Sequence, residues 1–214
     1  MKRVFFVDFD GTITLEDTCD AMTKAFAGEG WQESLHRWEK GELTTQSCAR
    51  EIFRLFNVTI EELASFLANI PIDETFRDFV GYVESRGEKL FIISDGYDFN
   101  LSIILGKAGL SHLPCFSNRL VIRDNQYDID SPFQLTECNK CGTCKKELVS
   151  RLKEDAAEVV YIGDGYSDMC GCQAADLIFA KGRLLNYCQK ENLPVIPFSS
   201  FADILSWLKE HDER

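Results

Sequence analysis

The chain opens with a run of hydrophobic residues that ends abruptly in acids. Positions 4–7 are β-branched or aromatic, which is typical of a strand buried on both faces. Asp8 and Asp10 follow directly, and Gly11 allows the backbone to turn sharply away from the strand. Two carboxylates at a buried strand end are costly without a cation, and their oxygen atoms suit Mg²⁺. The alternative is an Asp/Gly turn that faces water.

The pattern of residues 15–71 is helical, with almost no strand signal. Apolar residues recur at helical spacing, glycines interrupt the pattern, and Thr59 with Glu62 three residues later is typical of a capping box. We expect four helices, which begin near residues 17, 31, 44 and 59. The segment 15–72 is therefore predicted to be an all-helical insertion between the first strand and the rest of the domain.

From residue 73 onwards, strand-like and helical segments alternate. The pattern predicts buried strands at 89–93, 158–162 and 177–180, a short strand at 113–117, and a hairpin formed by 120–122 and 126–129. It predicts helices near 76–86, 97–109, 144–154, 167–175, 183–191 and 199–210. Repeated strand–helix units predict an α/β fold, a Rossmann-like doubly wound parallel sheet with helices on both faces. The predicted core comprises residues 1–14 and 73–214.

Composition is typical of a soluble globular protein with one domain, or one domain with a small insertion. Of the 214 residues, 45% are hydrophobic and 27% are charged. No stretch reaches the roughly 18 apolar residues that span a bilayer, and the start does not resemble a signal peptide. We therefore expect a cytoplasmic protein without a membrane partner, and the oligomeric state is left open. The net charge of −12 disfavours a nucleic-acid partner, and an anionic substrate would need a bound cation or local positive charge.

Three polar clusters each follow a predicted strand. They lie at residues 8–14, 94–96 and 163–168. Ligands of parallel sheets bind at the carboxyl ends of the strands, so this coincidence predicts one shared site. The Ser94 hydroxyl, with the amide of Asp95 or Gly96, could hold a phosphate oxygen, whereas an ordinary turn is the alternative. Asp164 and Asp168 are four residues apart and could share one side of a helix, or could simply cap it.

The first cluster carries the most specific pattern. Residues 8–14 read DFDGTIT and resemble the first motif, DxDGT(I/L)T, of the haloacid dehalogenase-like phosphatases. Ser94 resembles the second motif of that family, and GDGYSD at residues 163–168 resembles the fourth, GDxxxD. The third motif is a lysine, for which Lys145 and Lys146 at the start of a predicted helix are the candidates. Lys145 is favoured because a Cys-Lys pair directly precedes the helix, with Lys146 as the alternative. All four motifs occur in the order typical of the family.

The resemblance implies a mechanism and a set of site residues. Asp8 would attack phosphorus and form an aspartyl-phosphate, while Asp10 would protonate the leaving alcohol and then activate water. The lysine would neutralise the charge of Asp8 and the phosphate. The implied cofactor is Mg²⁺, held by Asp8, the Asp10 carbonyl and Asp164, with Asp168 as a second ligand or an outer orienting residue. The implied phosphate-binding residues are Thr12, Ser94, Asp95 and Gly96.

The helical insertion after the first motif is similar to that of the phosphoserine-phosphatase-like subclass, which has a small helical cap and acts on small phosphate esters. The cysteine-rich run before Lys145 resembles that of the methionine-salvage phosphatases, which act on 2-hydroxy-3-keto-5-methylthiopentenyl-1-phosphate. The phosphocholine, phosphoethanolamine and pyridoxal-phosphate phosphatases are an alternative, since they share a Cys-x-x-Cys-Lys element and a GDGxxD motif, which Gly165 matches.

Phosphoserine phosphatase is a further alternative. Enzymes of that type carry a cap glutamate nine residues after the nucleophile to hold the substrate amine, and this sequence has Asp17 there, beside Glu16. Arg50 or Arg54 could hold the substrate carboxylate, although acids at a helix start and solvated surface arginines explain these four residues more simply. A catalytically retired binding protein is the non-enzymatic hypothesis, and loss of a motif residue would support it. None of the four motifs lacks its residue.

The chain has nine cysteines, an odd number, and no secretory signal, which disfavours a disulfide framework. Cys138, Cys141 and Cys144 are spaced CxxCxxC. This spacing is compatible with structural zinc if a fourth ligand such as Cys170 or Cys172 joins them. Reduced thiols without a metal are the alternative.

Overall fold

A mostly parallel sheet forms the centre of the protein, whose computed structural model describes residues 2–124, 126–135 and 141–212. Its strands are β1 (Arg3–Val7), β2 (Lys89–Tyr97), β3 (Cys115–Arg123), β4 (Gln126–Asp130), β5 (Glu158–Gly163), β6 (Leu177–Ala180) and β7 (Val195–Pro197). They lie in the order β4-β3-β2-β1-β5-β6-β7. Neighbouring strands are parallel except β3 and β4, which form an antiparallel hairpin.

Helices cover both faces of this sheet. They are α1 (Thr18–Phe26), α2 (Trp31–Glu39), α3 (Thr45–Phe53), α4 (Ile60–Leu67), α5 (Phe76–Ser85), α6 (Asp98–Lys107), α7 (Lys145–Leu152), α8 (Gly182–Lys190) and α9 (Phe201–Asp212). Phe5 packs in the core formed with α5 and α9, whereas Phe6 packs in the core formed with α7 and α8. The prediction of an α/β fold with a doubly wound parallel sheet is confirmed. None of the described helices is long and apolar enough to cross a membrane.

The central position of β1 explains where the first two acids lie. All five residues of β1 are buried, and Val7 pairs with Ile92 of β2 on one side and Ile162 of β5 on the other. Because these three strands are parallel, the residues that follow them emerge at the same edge of the sheet. Asp8 extends the ladder by one bond, from its N–H to the Ile162 carbonyl at 2.9 Å.

The α1–α4 segment, residues 15–72, leaves the core and returns to it at adjacent points. Thr14 and Ile72 form an isolated antiparallel bridge. Helix α3 packs on β4, where Arg50 Nε donates to a carboxylate oxygen of Asp128 at 2.8 Å. The segment is therefore attached to the core at both its ends and along the β3–β4 hairpin.

The predicted helix starts in this segment are confirmed. Asp17 caps α1 by accepting the N–H of Asp20 at 2.9 Å, and Thr44 caps α3. Thr59 and Glu62 form the predicted capping box at the start of α4. Each of these side chains satisfies a backbone N–H that has no partner inside its helix.

The helix predicted at 167–175 is wrong. Turns at residues 167–171 lead into a short 3-10 helix at Cys172–Ala174. The Asp168 carboxylate accepts the N–H groups of Asp164 at 3.2 Å and Gly165 at 2.9 Å. Because this side chain offers the backbone an alternative to helical hydrogen bonds, the segment folds into a loop.

β2 and β3 differ from their predicted bounds, and β7 was not predicted. The short strand predicted at 113–117 begins at Cys115 and continues without a break into the first hairpin strand, so both belong to β3. β2 extends to Tyr97, and its register against β3 shifts between Ile93 and Tyr97. The polar cluster at 94–96 therefore lies within an irregular strand end. β7 was not predicted, since a strand of three residues is too short to show a periodic pattern.

Candidate active site

Asp8 lies at the centre of a buried charged cluster. Its Oδ1 atom accepts hydrogen bonds from Lys145 Nζ at 2.6 Å and from the N–H of Phe9 at 2.7 Å. In the part of the chain that the structure describes, its Oδ2 atom has no hydrogen-bond partner. One oxygen of Asp8 is therefore fixed, and the other is available to react.

Lys145 is the lysine that reaches the acids. It is the first residue of α7 and is buried, whereas Lys146 is exposed. Lys145 Nζ also donates to Asp168 Oδ1 at 2.7 Å, and the Tyr161 hydroxyl donates to the same oxygen at 2.7 Å. Both oxygens of Asp168 are occupied, since the other accepts two backbone N–H groups. Of its two expected roles, the contacts of Asp168 fit the outer orienting one.

Asp164 reaches the same place from the end of β5. Thr12 Oγ1 donates to Asp164 Oδ1 at 2.7 Å, so its hydroxyl orients this carboxylate. A role of Thr12 in phosphate binding stays a prediction. Gly11 has a φ of +72°, and a Cβ atom there would lie 2.7 Å from Asp164 Oδ2. One carboxylate oxygen from each of Asp8, Asp164 and Asp168 lies within 4.8 Å of the other two.

The electrostatics of this cluster favour a bound cation. Burial raises the pKa of Asp8 well above its usual value, and the Asp168 charge adds to the effect. Burial also raises the pKa of Asp164. Burial alone would raise the pKa of Asp168, but the Lys145 ammonium holds it below its usual value. Burial alone would lower the pKa of Lys145, but the charges of Asp168 and Asp8 raise it. One lysine does not neutralise three carboxylates, and an oxygen-only donor set fits Mg²⁺.

Asp10 is held by hydrogen bonds from two sides. Its Oδ1 atom accepts the N–H of Thr18 at 3.0 Å and the Thr18 hydroxyl at 2.5 Å. Its Oδ2 atom accepts the Ser94 hydroxyl at 2.9 Å, and Ser94 Oγ accepts the N–H of Gly96 at 2.8 Å. A Cβ atom on Gly96 would lie 2.5 Å from Asp10 Oδ2. Glycine at this position therefore permits the close approach of β2 to Asp10.

The Asp95 carboxylate is bound to neighbouring segments of the core, and a role of the Asp95 amide in phosphate binding stays a prediction. Its Oδ1 atom accepts the N–H of Thr143 at 2.8 Å and Asn118 Nδ2 at 3.2 Å. The same Asn118 nitrogen donates to the Asp95 carbonyl at 2.7 Å. Thr143 lies two residues before Lys145, so Asp95 fixes the loop that leads into α7.

Comparison with known proteins agrees with this arrangement. A family model described as Putative Phosphatase matches residues 3–211. The chain belongs to this family of phosphatases. It is 32% identical over 218 residues to the 2-hydroxy-3-keto-5-methylthiopentenyl-1-phosphate phosphatase of Geobacillus thermodenitrificans (strain NG80-2), and the alignment covers 98% of this chain and 97% of that protein. It is 29% identical over 213 residues to the protein of the same name from Brevibacillus brevis, and that alignment covers 98% of this chain and 96% of the relative.

Solved structures of haloacid dehalogenase-like enzymes share the fold of this phosphatase. A substrate-bound phosphoserine phosphatase complex aligns with a TM-score of 0.74 at 23% identity, over 97% of this chain and 98% of that chain. A phospho-aspartyl intermediate analogue of phosphoserine phosphatase aligns with a TM-score of 0.73 at 24% identity, over 96% of this chain and 98% of that chain. These two alignments show that the chain shares the predicted fold.

Apolar side chains border the acids of the phosphatase. Tyr166, between Asp164 and Asp168, is 64% exposed, and Leu15, just after the first motif, is 61% exposed. Trp38 of α2 meets Tyr166 edge to face, with ring centroids 6.5 Å apart. The α1–α4 segment therefore contacts the loop that carries Asp164.

The two acids at the start of α1 lie in different surroundings. Asp17 is exposed at the surface, but neighbouring atoms partly desolvate its carboxylate. This desolvation, together with the charge of Asp10, raises the pKa of Asp17 to about 7. Glu16 is exposed, and its carbonyl accepts the Thr14 hydroxyl at 2.7 Å. The Asp17 carboxylate, which caps α1, is the one of the two that lies beside the site.

The two candidate arginines differ in their contacts. Arg50 Nε donates to Asp128 Oδ1 at 2.8 Å, and Arg50 Nη2 donates to the Ile129 carbonyl at 3.1 Å. Arg50 is therefore paired with the β3–β4 hairpin. Arg54 is exposed at the end of the helix.

The structure describes only part of the predicted zinc cluster. Cys138 lies outside the described residues, Cys141 is half-buried, and Cys144 precedes the first residue of α7. Among the described residues, the groups that could hold a metal ion are centred on Asp8 and Asp10, and neither includes Cys141 or Cys144. A zinc site that involves Cys138 stays a prediction.

Sequence reasoning missed four residues that shape the site. They are Thr18, Asn100, Asn118 and Tyr161. Tyr161 and Asn118 lie in strands, and a polar group within an apolar strand pattern is a signal that could have marked them. Thr18 and Asn100 carry no such signal, because their role depends on which helices meet in the folded chain.

Proposed function

We propose that this protein is a Mg²⁺-dependent phosphomonoester hydrolase that forms an aspartyl-phosphate on Asp8. The observation that carries the proposal is the buried contact of Asp8 with Lys145 at 2.6 Å, beside the carboxylate of Asp164. A carboxylate with one fixed oxygen and one unbonded oxygen is positioned for nucleophilic attack. An adjacent cation allows an anionic nucleophile to approach an anionic phosphate.

In the first step, Asp8 Oδ2 attacks phosphorus. A bond forms between this oxygen and phosphorus while the bond from phosphorus to the ester oxygen breaks. Asp10 Oδ2 donates its proton to the departing ester oxygen, which leaves as an alcohol. When Asp10 carries this proton, the Ser94 hydroxyl is free to donate to a phosphate oxygen. Lys145 holds the Asp8 carboxylate in place and offsets the charge that develops on the phosphoryl group.

In the second step, Asp10 acts as a base. Its carboxylate accepts a proton from a water molecule, whose oxygen attacks phosphorus and displaces Asp8. The products are inorganic phosphate and the regenerated Asp8 carboxylate. Asp8, Asp164 and the Asp10 carbonyl would hold Mg²⁺, which would add charge neutralisation at the phosphoryl oxygens.

The α1–α4 segment acts as a cap on the core formed by residues 1–14 and 73–214. Its two ends meet at the bridge between Thr14 and Ile72, directly beside the first motif. Thr18 of this segment reaches Asp10, and Trp38 reaches Tyr166. A segment with these contacts can enclose the leaving group of a small substrate and exclude water from it.

The proposed substrate is 2-hydroxy-3-keto-5-methylthiopentenyl-1-phosphate. Relatives that carry this name align over nearly the whole chain. Leu15, Tyr166 and Trp38 offer an apolar border that suits a methylthio group. Arg50 is bound to Asp128, which disfavours recognition of an amino acid carboxylate.

A panel of phosphate esters tests this proposal. We expect kcat/KM for the methylthio ester to exceed the values for phosphoserine, phosphocholine and pyridoxal phosphate by about 100-fold, since each of these carries charged groups that the apolar border would leave unpaired. The measurement is phosphate release with Mg²⁺ present. A higher value for any of the other three would assign the enzyme to that substrate instead. Failure of all four, and of a generic aryl phosphate, would support the retired binding protein.

Thermal unfolding tests the metal site independently of activity. At a Mg²⁺ concentration about 100-fold above Kd, binding stabilises the folded state by about 2.7 kcal/mol, which corresponds to a rise in Tm of about 5–10 °C for a chain of this size. Asp164→Asn should remove most of this rise. The matched control is Asp155→Asn, an exposed position outside the cluster, which should retain it. An unchanged Tm of the wild-type protein up to millimolar Mg²⁺ would contradict the assigned site.

A further inference from the structure

A buried amide on α6 extends the hydrogen bonding around Asp10. Asn100 is fully buried, as is Thr18. Asn100 Nδ2 donates to Thr18 Oγ1 at 2.9 Å, and Thr18 Oγ1 donates to Asp10 Oδ1 at 2.5 Å. Side chains from α6, from α1 and from the loop after β1 therefore form one chain of hydrogen bonds that ends on Asp10.

The direction of this chain follows from the number of protons available. An ionised Asp10 carboxylate can only accept, so the single hydroxyl proton of Thr18 must go to it. The Thr18 oxygen then needs a donor from the other side, and Asn100 must present its nitrogen there. The amide oxygen of Asn100 faces away and has no hydrogen-bond partner in the part of the chain that the structure describes.

This unpartnered oxygen indicates that stability does not explain Asn100. A buried amide oxygen without a donor lowers stability relative to an apolar side chain of similar size. The Met22 sulfur, 3.4 Å from Asn100 Nδ2, is a weak acceptor and belongs to the apolar core. What asparagine supplies here, and leucine would not, is a donor directed at Thr18.

The two oxygens of Asp10 lie in different surroundings. Oδ1 receives both donors of Thr18, its N–H at 3.0 Å and its hydroxyl at 2.5 Å. Oδ2 faces Ser94 at 2.9 Å. A proton on Oδ1 would compete with the two Thr18 donors, so a transferable proton is favoured on Oδ2.

We infer that Asn100 and Thr18 are positioning residues that fix Oδ1 of Asp10 and so direct its proton through Oδ2. The inference rests on the proposed function and adds to it the residues that position Asp10, the general acid and base. Thr18 belongs to the cap and Asn100 to the core. Proton transfer to the leaving group therefore requires α1 to be docked on α6.

The test compares two esters that differ in their need for an acid. An alkyl phosphate requires protonation of its leaving oxygen, whereas 2,4-dinitrophenyl phosphate releases a stable anion without it. The value of kcat/KM reports all steps up to departure of the leaving group. Thr18→Val removes the hydroxyl at similar volume, Thr18→Ser keeps it, and Asn100→Leu removes the donor at similar volume.

We expect Thr18→Val and Asn100→Leu to lower kcat/KM for the alkyl ester by about 10-fold or more, and for the dinitrophenyl ester by less than about 3-fold. Thr18→Ser should keep the wild-type ratio of the two values. In Thr18→Val, dinitrophenolate should appear in a burst of about one equivalent, because breakdown of the aspartyl-phosphate still needs Asp10 as base. The Tm of Asn100→Leu should equal or exceed that of the wild type.

Equal losses for both esters, or no change for either, would overturn the inference. A lowered Tm of Asn100→Leu together with equal losses would show that Asn100 supports only the fold. Thr23→Val is the matched control, since it makes the same change further along the same helix. If Thr18→Val does not fold, Thr18→Ala removes the same hydroxyl without adding a methyl group. A wild-type protein that hydrolyses neither ester would instead disprove the proposed function itself, and the inference would then be wrong as well.

Discussion

Asp8→Asn is expected to abolish turnover, with a loss in kcat/KM of about 10⁴-fold or more. The free Oδ2 atom of Asp8 is the nucleophile of the proposed mechanism, and an amide at the same position does not attack phosphorus. The measurement is phosphate release from the best ester of the wild type at saturating Mg²⁺. Acid quenching followed by mass spectrometry should find one added phosphoryl group on the wild-type chain and none on the variant.

The same substitution should not weaken the metal-free fold. Burial and the Asp168 charge raise the pKa of Asp8, which means that the ionised carboxylate is unfavourable where it lies. Asparagine removes this charge, and its oxygen can still accept from Lys145 and from the N–H of Phe9. We therefore expect the Tm without Mg²⁺ to equal or exceed that of the wild type, and the rise in Tm with Mg²⁺ to shrink.

Asp78→Asn provides the matched control for this substitution. It makes the same chemical change at an exposed position in the first turn of α5, away from the acids that follow β1. Its kcat/KM should stay within about 2-fold of the wild type, since exposed substitutions away from special features change little. If Asp8→Asn retained a kcat/KM within about 10-fold of the wild type, the aspartyl-phosphate mechanism would be wrong.

The fold class could be predicted because it depends on local patterns. The mainly apolar runs at 4–7, 89–93 and 158–162 are all strands with mostly buried side chains, and each is followed by polar residues. Parallel pairing brings these residues to one edge of the sheet, so sequence alone was sufficient to expect one shared site there. What no local pattern contained was the strand order, in which β1 lies between β2 and β5.

Side-chain contacts could not be predicted where more than one partner is available. The hydroxyl of Thr12 lies on Asp164, and Thr143 and Asn118 occupy the carboxylate of Asp95. The choice among such partners is made by segments distant in sequence. The predicted helix after Asp164 failed for a related reason, since the Asp168 side chain competed with the backbone for its own N–H groups.

Lys145→Met is expected to lower both activity and stability. Lys145 joins Asp8 and Asp168, and each of these three side chains is at most 5% exposed. Removal of one partner of a buried ion pair costs about 3–5 kcal/mol, because it leaves uncompensated buried charge. For a chain of this size that corresponds to a fall in Tm of about 6–20 °C. The loss of transition-state stabilisation should lower kcat by about 10²–10³-fold.

Lys146→Met separates these effects from a general effect of removing a lysine at the start of α7. Lys146 is adjacent in sequence but exposed, so its removal should change stability by no more than about 0.5 kcal/mol and leave kcat within about 2-fold. Equal losses in the two variants would contradict the assignment of Lys145.

A double variant, Lys145→Met with Asp168→Asn, distinguishes the structural contribution of Lys145 from its catalytic one. It removes the positive charge together with one of the two carboxylates that Lys145 contacts, so the buried charge imbalance is smaller than in Lys145→Met alone. We expect the Tm to recover in part while kcat stays low, because no lysine ammonium then lies beside Asp8. Recovery of kcat together with Tm would mean that Lys145 supports only the fold, and the proposed approach of phosphate to Asp8 would then have to depend on the metal ion alone.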